Sequence, residues 1–245
     1  MRFHIITIFP EMFDSYMKES IIGRAVKNKK ISIKFYNPWD FCEEGKRVDA
    51  RPYGGGPGMV LRPELFLKAF TAAAKNFSRS SGRPHGVRGA QPDTRKISSS
   101  LRTVKVILFS TSGKKFTTAY AKNSAKKYTD IILISGRYEG IDARVQKILK
   151  AEEISIGDYI LTGGELPAMV LIDSISRQIP GVLGKYESLE EERVSTSEVY
   201  TRPEVLKYTP PGRGKKSKIY RVPKVLLSGN HKNIEEWKKQ QKMIK

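Results

Sequence analysis

Short apolar runs that end at proline or glycine recur along the chain, and segments with helical spacing separate them. Phe3 to Phe9 forms the first run and is closed by Pro10, and Ile31 to Tyr36 forms the second. Between them, apolar residues recur at the three- and four-residue intervals that are typical of a helix. A strand, a helix and a strand of this length predict a parallel βαβ unit, so we expect an α/β fold.

Three later apolar runs also predict buried strands: Val104 to Phe109, Ile131 to Ile134, and Ile154 to Leu161. A small-residue turn follows each, and the three turns are Ser110 to Gly113, Gly136, and Gly163 with Gly164. Helical segments come next, including a basic one from Lys114 to Lys127 and an apolar one from Pro167 to Ile179. Parallel α/β folds place small-molecule sites where strands end, so we expect these three turns to line one cofactor pocket.

A glycine-rich loop lies in the segment Arg47 to Met59. Four glycines and two prolines fall within seven positions, Pro52 to Gly58, which excludes a helix or a central strand. The loop fits neither the P-loop nor the dinucleotide-binding spacing, so it is not a known phosphate cradle. It is either a structural turn or a place where the backbone closely approaches a ligand.

The charge of the chain indicates its partner. The formal net charge is +20 over 245 residues, which predicts a polyanion such as nucleic acid. No apolar stretch approaches the 18 residues of a membrane span, so no membrane partner is expected. Cys42 is the only cysteine, which fits a reducing cytoplasm, and the three scattered histidines have no metal-ligand spacing.

Composition also divides the chain. Ser78 to Arg102 is rich in serine, arginine, glycine and proline and is predicted to be a mobile basic insertion. Residues 185–199 form an acidic linker that contains Glu190, Glu191 and Glu192, and residues 200–245 predict a small basic helical domain. Asp173 and Arg177 are four residues apart in the apolar helix, the spacing of an ordinary helical ion pair.

Eight motifs, in order along nearly the whole chain, resemble the bacterial tRNA (guanine-N1)-methyltransferases, a family of the knotted SPOUT class. They are IFPEMF at 8–13, GRAVKN at 23–28, RPYGGGPGMV at 51–60, GRYEGID at 136–142, SIGDYILTGGELPAM at 155–169, IPGVLG at 179–184, YTRPEVL at 200–206 and VLLSGNH at 225–231. The family resemblance implies a parallel sheet with a deep C-terminal trefoil knot, followed by a small helical C-terminal domain. It implies a knotted catalytic domain at 1–184 that binds S-adenosyl-L-methionine, the linker at 185–199, and a tRNA-binding domain at 200–245.

The resemblance also assigns residues to sites. The cofactor-binding positions that it implies are Ser110, Thr111, Gly113, Gly136, Tyr138, Glu139, Ile156, Tyr159, Leu161, Gly163, Gly164 and Pro167. Asp49 and Gly58 correspond to tRNA-binding positions. Arg177 matches a catalytic arginine, and Glu192 stands where the family usually has an aspartate base, with Glu191 as the alternative after a one-residue shift. Family members are described as needing Mg²⁺, for which this sequence shows no site.

The implied activity is methyl transfer to N1 of guanosine 37 in tRNA, beside the anticodon, by a homodimer with its active site at the subunit interface. The glycine loop and the basic C-terminal region favour this activity over a SPOUT methyltransferase that acts on ribosomal RNA. A third interpretation is a non-catalytic RNA-binding relative, which only the glutamate at the aspartate position supports. Residues 78–102 and the PPGRGKKSK segment at 210–218 look like insertions relative to the family.

Overall fold

The computed structural model describes residues 1–78, 104–183, 198–212 and 215–243. The chain divides into two compact units, Met1–Gly184 and Lys185–Lys245. Residues 79–102 of the insertion expected at 78–102 lie outside the described residues, and so do residues 185–197 of the linker expected at 185–199, with Glu190, Glu191 and Glu192. Within the described ranges, no helix has the length and apolar character needed to cross a membrane.

A five-stranded parallel sheet is the centre of the first unit. Its strands are β1 (Arg2–Ile6), β2 (Ser32–Tyr36), β5 (Val104–Lys115), β6 (Asp130–Ile134) and β7 (Glu152–Ser155), in the order β2-β1-β6-β5-β7. Phe3 pairs with Ile33 of β2 on one side and with Ile131 of β6 on the other. The predicted parallel βαβ unit at the start of the chain is therefore confirmed.

Helices cover both faces of the sheet, which makes it a buried parallel sheet of a three-layer α/β unit. One face packs against α1 (Asp14–Met17), α2 (Ser20–Lys27), α4 (Thr118–Lys127) and α6 (Glu165–Ser176). The other face packs against α3 (Pro63–Ser78) and α5 (Ala143–Leu149). Because both faces are covered, Ile131, Ile132, Leu133 and Ile134 are all fully buried, as the uninterrupted apolar run predicts.

Several predicted elements differ in extent from the observed ones: β1 stops at Ile6 rather than Phe9, α4 begins at Thr118 rather than Lys114, and α6 spans Glu165–Ser176 rather than Pro167–Ile179. The largest differences are in β5 and β7. β5 does not end at Phe109: it continues to Lys115, with a register shift against β7 between Phe109 and Lys114, so the expected strand-end turn is a bulge inside a longer strand. The strand expected from Ile154 to Leu161 stops at Ser155. Ile160 lies beyond it in a loop and is 87% exposed, so its apolar character does not mark a buried strand.

Shorter elements complete this unit. A 3-10 helix at Pro10–Phe13 precedes α1, and a second one spans Pro38–Phe41. The glycine loop is bracketed by a small antiparallel pair, β3 (Asp49–Ala50) and β4 (Val60–Leu61). The first predicted helix is divided into α1 and α2, and Ser20, the first residue of α2, has a positive φ of 51° at the break.

The second unit contains an antiparallel hairpin and two helices. The hairpin strands are β8 (Val205–Tyr208) and β9 (Lys218–Arg221), and the helices are α7 (Lys224–Leu227) and α8 (His231–Met243). The expected small basic helical domain contains these two helices, but residues 205–208 and 218–221 form strands that were not predicted. The strand sequences, VLKY and KIYR, are short and show no strict alternation of apolar and polar residues, so the local pattern does not predict the hairpin.

Candidate cofactor site

A cavity of about 330 Å³ lies at the carboxyl ends of β5, β6 and β7. This volume falls in the range of small-molecule sites in proteins, and its place at the ends of parallel strands is the usual one in α/β folds. Three stretches of the chain line the cavity: Leu108–Thr111, residues 136–141, and most of the residues from 153 to 167. The predicted convergence of three segments on one pocket is therefore observed, although the first of them is a strand bulge.

Backbone contacts hold the second and third stretches together. The N–H of Gly164 donates to the carbonyl of Gly136 at 2.9 Å, and Arg137 and Gly163 form an isolated antiparallel bridge. A methyl group on Gly164 would lie 2.7 Å from the Cα atom of Ser135, closer than side-chain atoms pack. Glycine at position 164 therefore allows the loop before α6 to rest directly on the end of β6.

Arg137 and Glu165 form a buried ion pair beside the cavity. Nε of Arg137 lies 2.9 Å from Oε2 of Glu165, whose side chain is 1% exposed. The N–H is not directed at that oxygen, so the contact is electrostatic rather than a linear hydrogen bond. The other oxygen, Oε1, accepts a hydrogen bond of 2.8 Å from the hydroxyl of Thr7, just after β1.

The guanidinium of Arg137 also reaches across the cavity wall. Nη1 lies 3.4 Å from the carbonyl and 3.3 Å from the hydroxyl of Thr162, and the guanidinium stacks over the ring of Phe9. Arg137 thus links the loop after β6 to the loop before α6. Arg137 and Glu165 are not among the site residues named from the sequence. Local sequence does not reveal their pairing, because an acidic residue at the first position of a helix is ordinarily stabilised there by the helix dipole.

Every cofactor-binding position implied by the resemblance lines the cavity except Gly113. Gly113 lies in the β5 bulge, where a methyl group would come within 2.6 Å of the backbone of Glu153 and Ile154. The structure therefore gives Gly113 a packing reason to be glycine, because it lets β5 and β7 approach closely. The roles of the lining residues stay predictions.

The glycine loop meets the cavity wall at Gly58. The N–H of Glu139 donates to the carbonyl of Met59 at 3.1 Å, and the N–H of Leu61 donates to the carbonyl of Gly140 at 2.9 Å. A methyl group on Gly58 would meet the Glu139 side chain at 2.3 Å, and Gly58 has a φ of +85°. Gly58, predicted for tRNA, and Glu139, predicted for the cofactor, are therefore in contact.

Asp49, the other position predicted for tRNA binding, is 5% exposed and lies on β3. Its carboxylate accepts hydrogen bonds of 2.7 and 3.0 Å from the guanidinium of Arg47. Arg47 is exposed, so the pair presents a cation at the surface beside the glycine loop. Asp49 is placed to orient Arg47 rather than to offer a free carboxylate.

The two predicted catalytic residues are not brought to the cavity within the described part of one chain. Arg177 follows the last residue of α6 as its C-cap. The cavity adjoins the beginning of that helix, about 18 Å away for twelve residues. Asp173 does not pair with Arg177: its carboxylate accepts a hydrogen bond of 2.9 Å from Tyr16. Burial and this hydrogen bond raise the pKa of Tyr16. Glu192 and Glu191 lie outside the described residues.

The lining fits a large organic cofactor better than a metal ion. Glycines bring backbone donors and acceptors to the cavity, beside the rings and apolar groups of Tyr138, Tyr159, Leu161 and Pro167. In the described ranges, no group of three or more histidine, cysteine, aspartate or glutamate side chains is arranged to hold a metal ion.

Comparison with known proteins connects this geometry to one family. The family model described as tRNA (Guanine-1)-methyltransferase TrmD matches residues 1–245. A protein of Clostridioides difficile named tRNA (guanine-N(1)-)-methyltransferase is 41% identical over 242 residues, which cover 98% of this chain and 92% of that protein. Similar proteins of the same name occur in Shewanella sediminis, 41% identical over 99% of this chain and 88% of that one, and in a Marinomonas species, 40% identical over 100% and 86%.

Proposed function

This chain belongs to the tRNA (guanine-1)-methyltransferase family, and we propose that the cavity at the ends of β5, β6 and β7 is its S-adenosyl-L-methionine site. The protein is a methyltransferase that acts on N1 of guanosine 37 in tRNA with S-adenosyl-L-methionine as the methyl donor. This assignment rests on one observation: the bulge in β5 and two glycine loops together line the wall of the cavity.

The wall is suited to the cofactor because of its small residues. Gly163 and Gly164 each leave room that a methyl group would fill, against Arg137 and Ser135 respectively. Backbone amides and carbonyls can therefore approach an adenine edge or the methionine portion closely. When bound, S-adenosyl-L-methionine supplies an electrophilic methyl group on its sulfonium sulfur.

The protein must also handle a proton and a charge. N1 of neutral guanine carries a proton and is a poor nucleophile, so a base has to accept that proton. We assign this role to Glu192, with Glu191 as the alternative. Negative charge develops on O6 as the N1 proton leaves, and the Arg177 guanidinium is the cation that the family resemblance places there.

We propose a homodimer because Arg177 and the cavity lie at opposite ends of α6 within one chain. Exposed apolar side chains lie around the 3-10 helix at Pro10–Phe13, on α1 and on α6, and they are Phe9, Met12, Tyr16, Leu166 and Val170. The hydrogen bond from Tyr16 to Asp173 brings α1 next to α6. Exposed apolar side chains that lie close together are typical of a subunit interface. We propose that a second copy packs here and supplies its Arg177 and Glu192 to the cavity of the first.

The remaining family features are proposals of the same kind. They include the trefoil knot within residues 104–183, with which the non-sequential strand order β6-β5-β7 is consistent. They also include tRNA binding by residues 200–245 and a cytoplasmic location. Mg²⁺ is named by resemblance alone, and no step of the reaction is assigned to it.

Two tRNA transcripts test the function. One carries guanosine 37 after guanosine 36, and the other has adenosine at position 37. Incubation with labelled S-adenosyl-L-methionine should label only the first, and digestion should release 1-methylguanosine. Labelling of both transcripts, or of neither, would overturn the proposal.

The dimer has a separate test. Val170 lies on the exposed side of α6 and is 44% exposed, so Val170→Lys should leave the single chain folded. We expect the variant to sediment as a monomer with little methyl-transfer activity. Glu64→Lys, on α3, should remain dimeric, and a Val170→Lys protein that sediments as wild type does would contradict the proposed interface.

A further inference from the structure

Two adjacent glutamates of β7 have different surroundings. Glu152 pairs with Lys105 and accepts a hydrogen bond of 2.7 Å from the hydroxyl of Tyr120 on α4. Glu153, the next residue, is exposed and lines the cavity at the ends of β5, β6 and β7. Because successive side chains of a strand point to opposite faces of the sheet, Glu153 lies on the face opposite to Glu152.

The carboxylate of Glu153 has no protein partner in the described part of the chain, where it forms neither an ion pair nor a hydrogen bond. Arg137 is the only cation among the described residues of the cavity wall, and it pairs with Glu165. The chain as a whole carries a net charge of +20, so a carboxylate that lines a cavity without meeting a cation is unusual for it. Both oxygens of Glu153 are therefore available to accept hydrogen bonds from a bound molecule.

The main chain at Glu153 is firmly packed. Glu153 lies opposite Leu108 in the register of β7 with β5, and Leu108 also lines the cavity. A methyl group on Gly113 would meet the carbonyl carbon of Glu153 at 2.6 Å, so the bulge in β5 rests directly against this residue. A carboxylate carried by a packed strand loses less conformational freedom on binding than one carried by a loop.

We propose that Glu153 binds the ribose of S-adenosyl-L-methionine by accepting hydrogen bonds from its two hydroxyl groups. Two carboxylate oxygens match two adjacent hydroxyls, and an acidic residue binds a ribose hydroxyl in the same way in dinucleotide-binding α/β folds. Among the described wall residues the other carboxylate is Glu139, which lies against Gly58 of the glycine loop. Glu153 adjoins the bulge in β5 instead, which favours a contact with the cofactor over one with the target base. The inference rests on the proposed function, since it takes S-adenosyl-L-methionine as the ligand of this cavity.

The test compares Glu153→Gln with Glu152→Gln in the full-length protein. Both variants lose one negative charge from the same strand, but Glu152 does not line the cavity. Calorimetric titration gives the Kd of three ligands: S-adenosyl-L-methionine, S-adenosyl-L-homocysteine, which lacks the sulfonium charge, and 5′-methylthioadenosine, which also lacks the amino-acid portion. All three keep both ribose hydroxyls. A fourth ligand, 5′-methylthio-2′,3′-dideoxyadenosine, lacks them.

We expect Glu153→Gln to bind each of the three hydroxylated ligands about 10-fold more weakly, because glutamine offers one uncharged oxygen in place of two charged ones. The dideoxy ligand should bind wild type and Glu153→Gln equally. Glu152→Gln should bind all four ligands as wild type does. In methyl transfer, Glu153→Gln should show a KM for S-adenosyl-L-methionine about 10-fold higher and an unchanged kcat, because the ribose hydroxyls take no part in the reaction.

Several results would overturn the role of Glu153 while wild type still binds the cofactor and methylates tRNA. A loss confined to S-adenosyl-L-methionine would indicate a contact with the sulfonium, and a loss that spares only the two methylthio ligands would indicate a contact with the ammonium group. Wild-type affinities in Glu153→Gln, or equal losses in Glu152→Gln, would exclude a specific contact. If wild type binds none of the ligands, the assignment of the cavity to the cofactor fails, and the role of Glu153 fails with it.

Discussion

Arg137 and Glu165 lie on different elements, yet their charged groups approach to 2.9 Å beside the cavity. Arg137 belongs to the loop after β6, and Glu165 is the first residue of α6. Thr7, just after β1, donates a hydrogen bond of 2.8 Å to Glu165 and so connects the end of β1 to this pair. One carboxylate therefore joins two of the segments that line the cavity to the end of β1.

Glu165→Gln tests this arrangement. Glutamine keeps the size of the side chain and can still accept from Thr7, but it leaves the charge of Arg137, which is 15% exposed, without an anionic partner. We expect the free energy of unfolding to fall by about 3 kcal/mol, the lower end for a broken buried pair. The Kd for S-adenosyl-L-methionine should rise about 10-fold, since one to two kcal/mol of loop positioning is lost.

Urea denaturation and calorimetric titration measure the two effects. Glu64→Gln is the matched control because Glu64 pairs with Arg62 at the surface, where such pairs contribute at most about 1 kcal/mol. If Glu165→Gln destabilises the protein no more than this control does, Glu165 does not hold the loops.

The base can be identified by comparing Glu192→Gln with Glu191→Gln. An amide cannot accept the N1 proton, so Glu192→Gln should lower the single-turnover rate of methyl transfer by at least about 10²-fold. Cofactor and tRNA affinities should change little. Glu191→Gln should stay near the wild-type rate, and the opposite ranking of the two variants would move the role to Glu191.

Local sequence was sufficient to predict the strands whose residues are all buried. Ile131 to Ile134 forms β6 as expected, and the glycine after it opens the loop that lines the cavity. The error at Tyr159 and Ile160 has a physical cause. An apolar run predicts burial, but these side chains lie in the cavity loop, where they are exposed.

Long-range packing decides the features that local patterns did not reveal. The bulge at Gly113 depends on the approach of β7, which is some forty residues later in the chain. The pairing of Arg137 with Glu165 likewise depends on how two loops meet. The hairpin was missed because its strands, VLKY at 205–208 and KIYR at 218–221, are short and do not alternate apolar and polar residues, and because proline, glycine and lysine dominate the segment between them.

The pairing of Asp130 with Arg2 and His4 predicts a pH-dependent stability. Burial alone would raise the pKa of Asp130, but hydrogen bonds from His4, Arg2 and Thr129 outweigh it and hold this pKa well below its usual range. The side chain is 1% exposed, and Nε of Arg2 lies 2.6 Å from its carboxylate. A carboxyl whose pKa is lower in the folded state stabilises the fold above its ordinary pKa of about 3.9, and this contribution is lost as the pH falls.

Asp130→Asn should therefore lower the free energy of unfolding by about 2 kcal/mol at pH 7, less than for a fully buried pair because Arg2 is 32% exposed. The difference from wild type should shrink as the pH falls below about 4, where wild type begins to lose the same contribution. Urea unfolding at a series of pH values measures this difference in the free energy of unfolding.

Asp14→Asn is the control. It breaks an exposed ion pair with Lys18 and should change the free energy of unfolding little at any pH. A difference for Asp130→Asn that does not change with pH would contradict this origin.

The most direct measurement is calorimetric titration of S-adenosyl-L-methionine into wild type, Gly164→Ala and Gly45→Ala. Gly164 has an ordinary φ of −84°, so alanine there adds only a methyl group, 2.7 Å from the backbone of Ser135. Gly45 has a positive φ of 74° and nothing within 4 Å, so alanine there costs about 1 kcal/mol of stability without reaching the cavity. We expect wild type and Gly45→Ala to bind the cofactor with similar affinity. Gly164→Ala should bind it at least about 10-fold more weakly, a loss of about 1.4 kcal/mol of binding free energy. Circular dichroism should show that Gly164→Ala remains folded. Wild-type affinity in Gly164→Ala would contradict the assignment of this cavity to the cofactor.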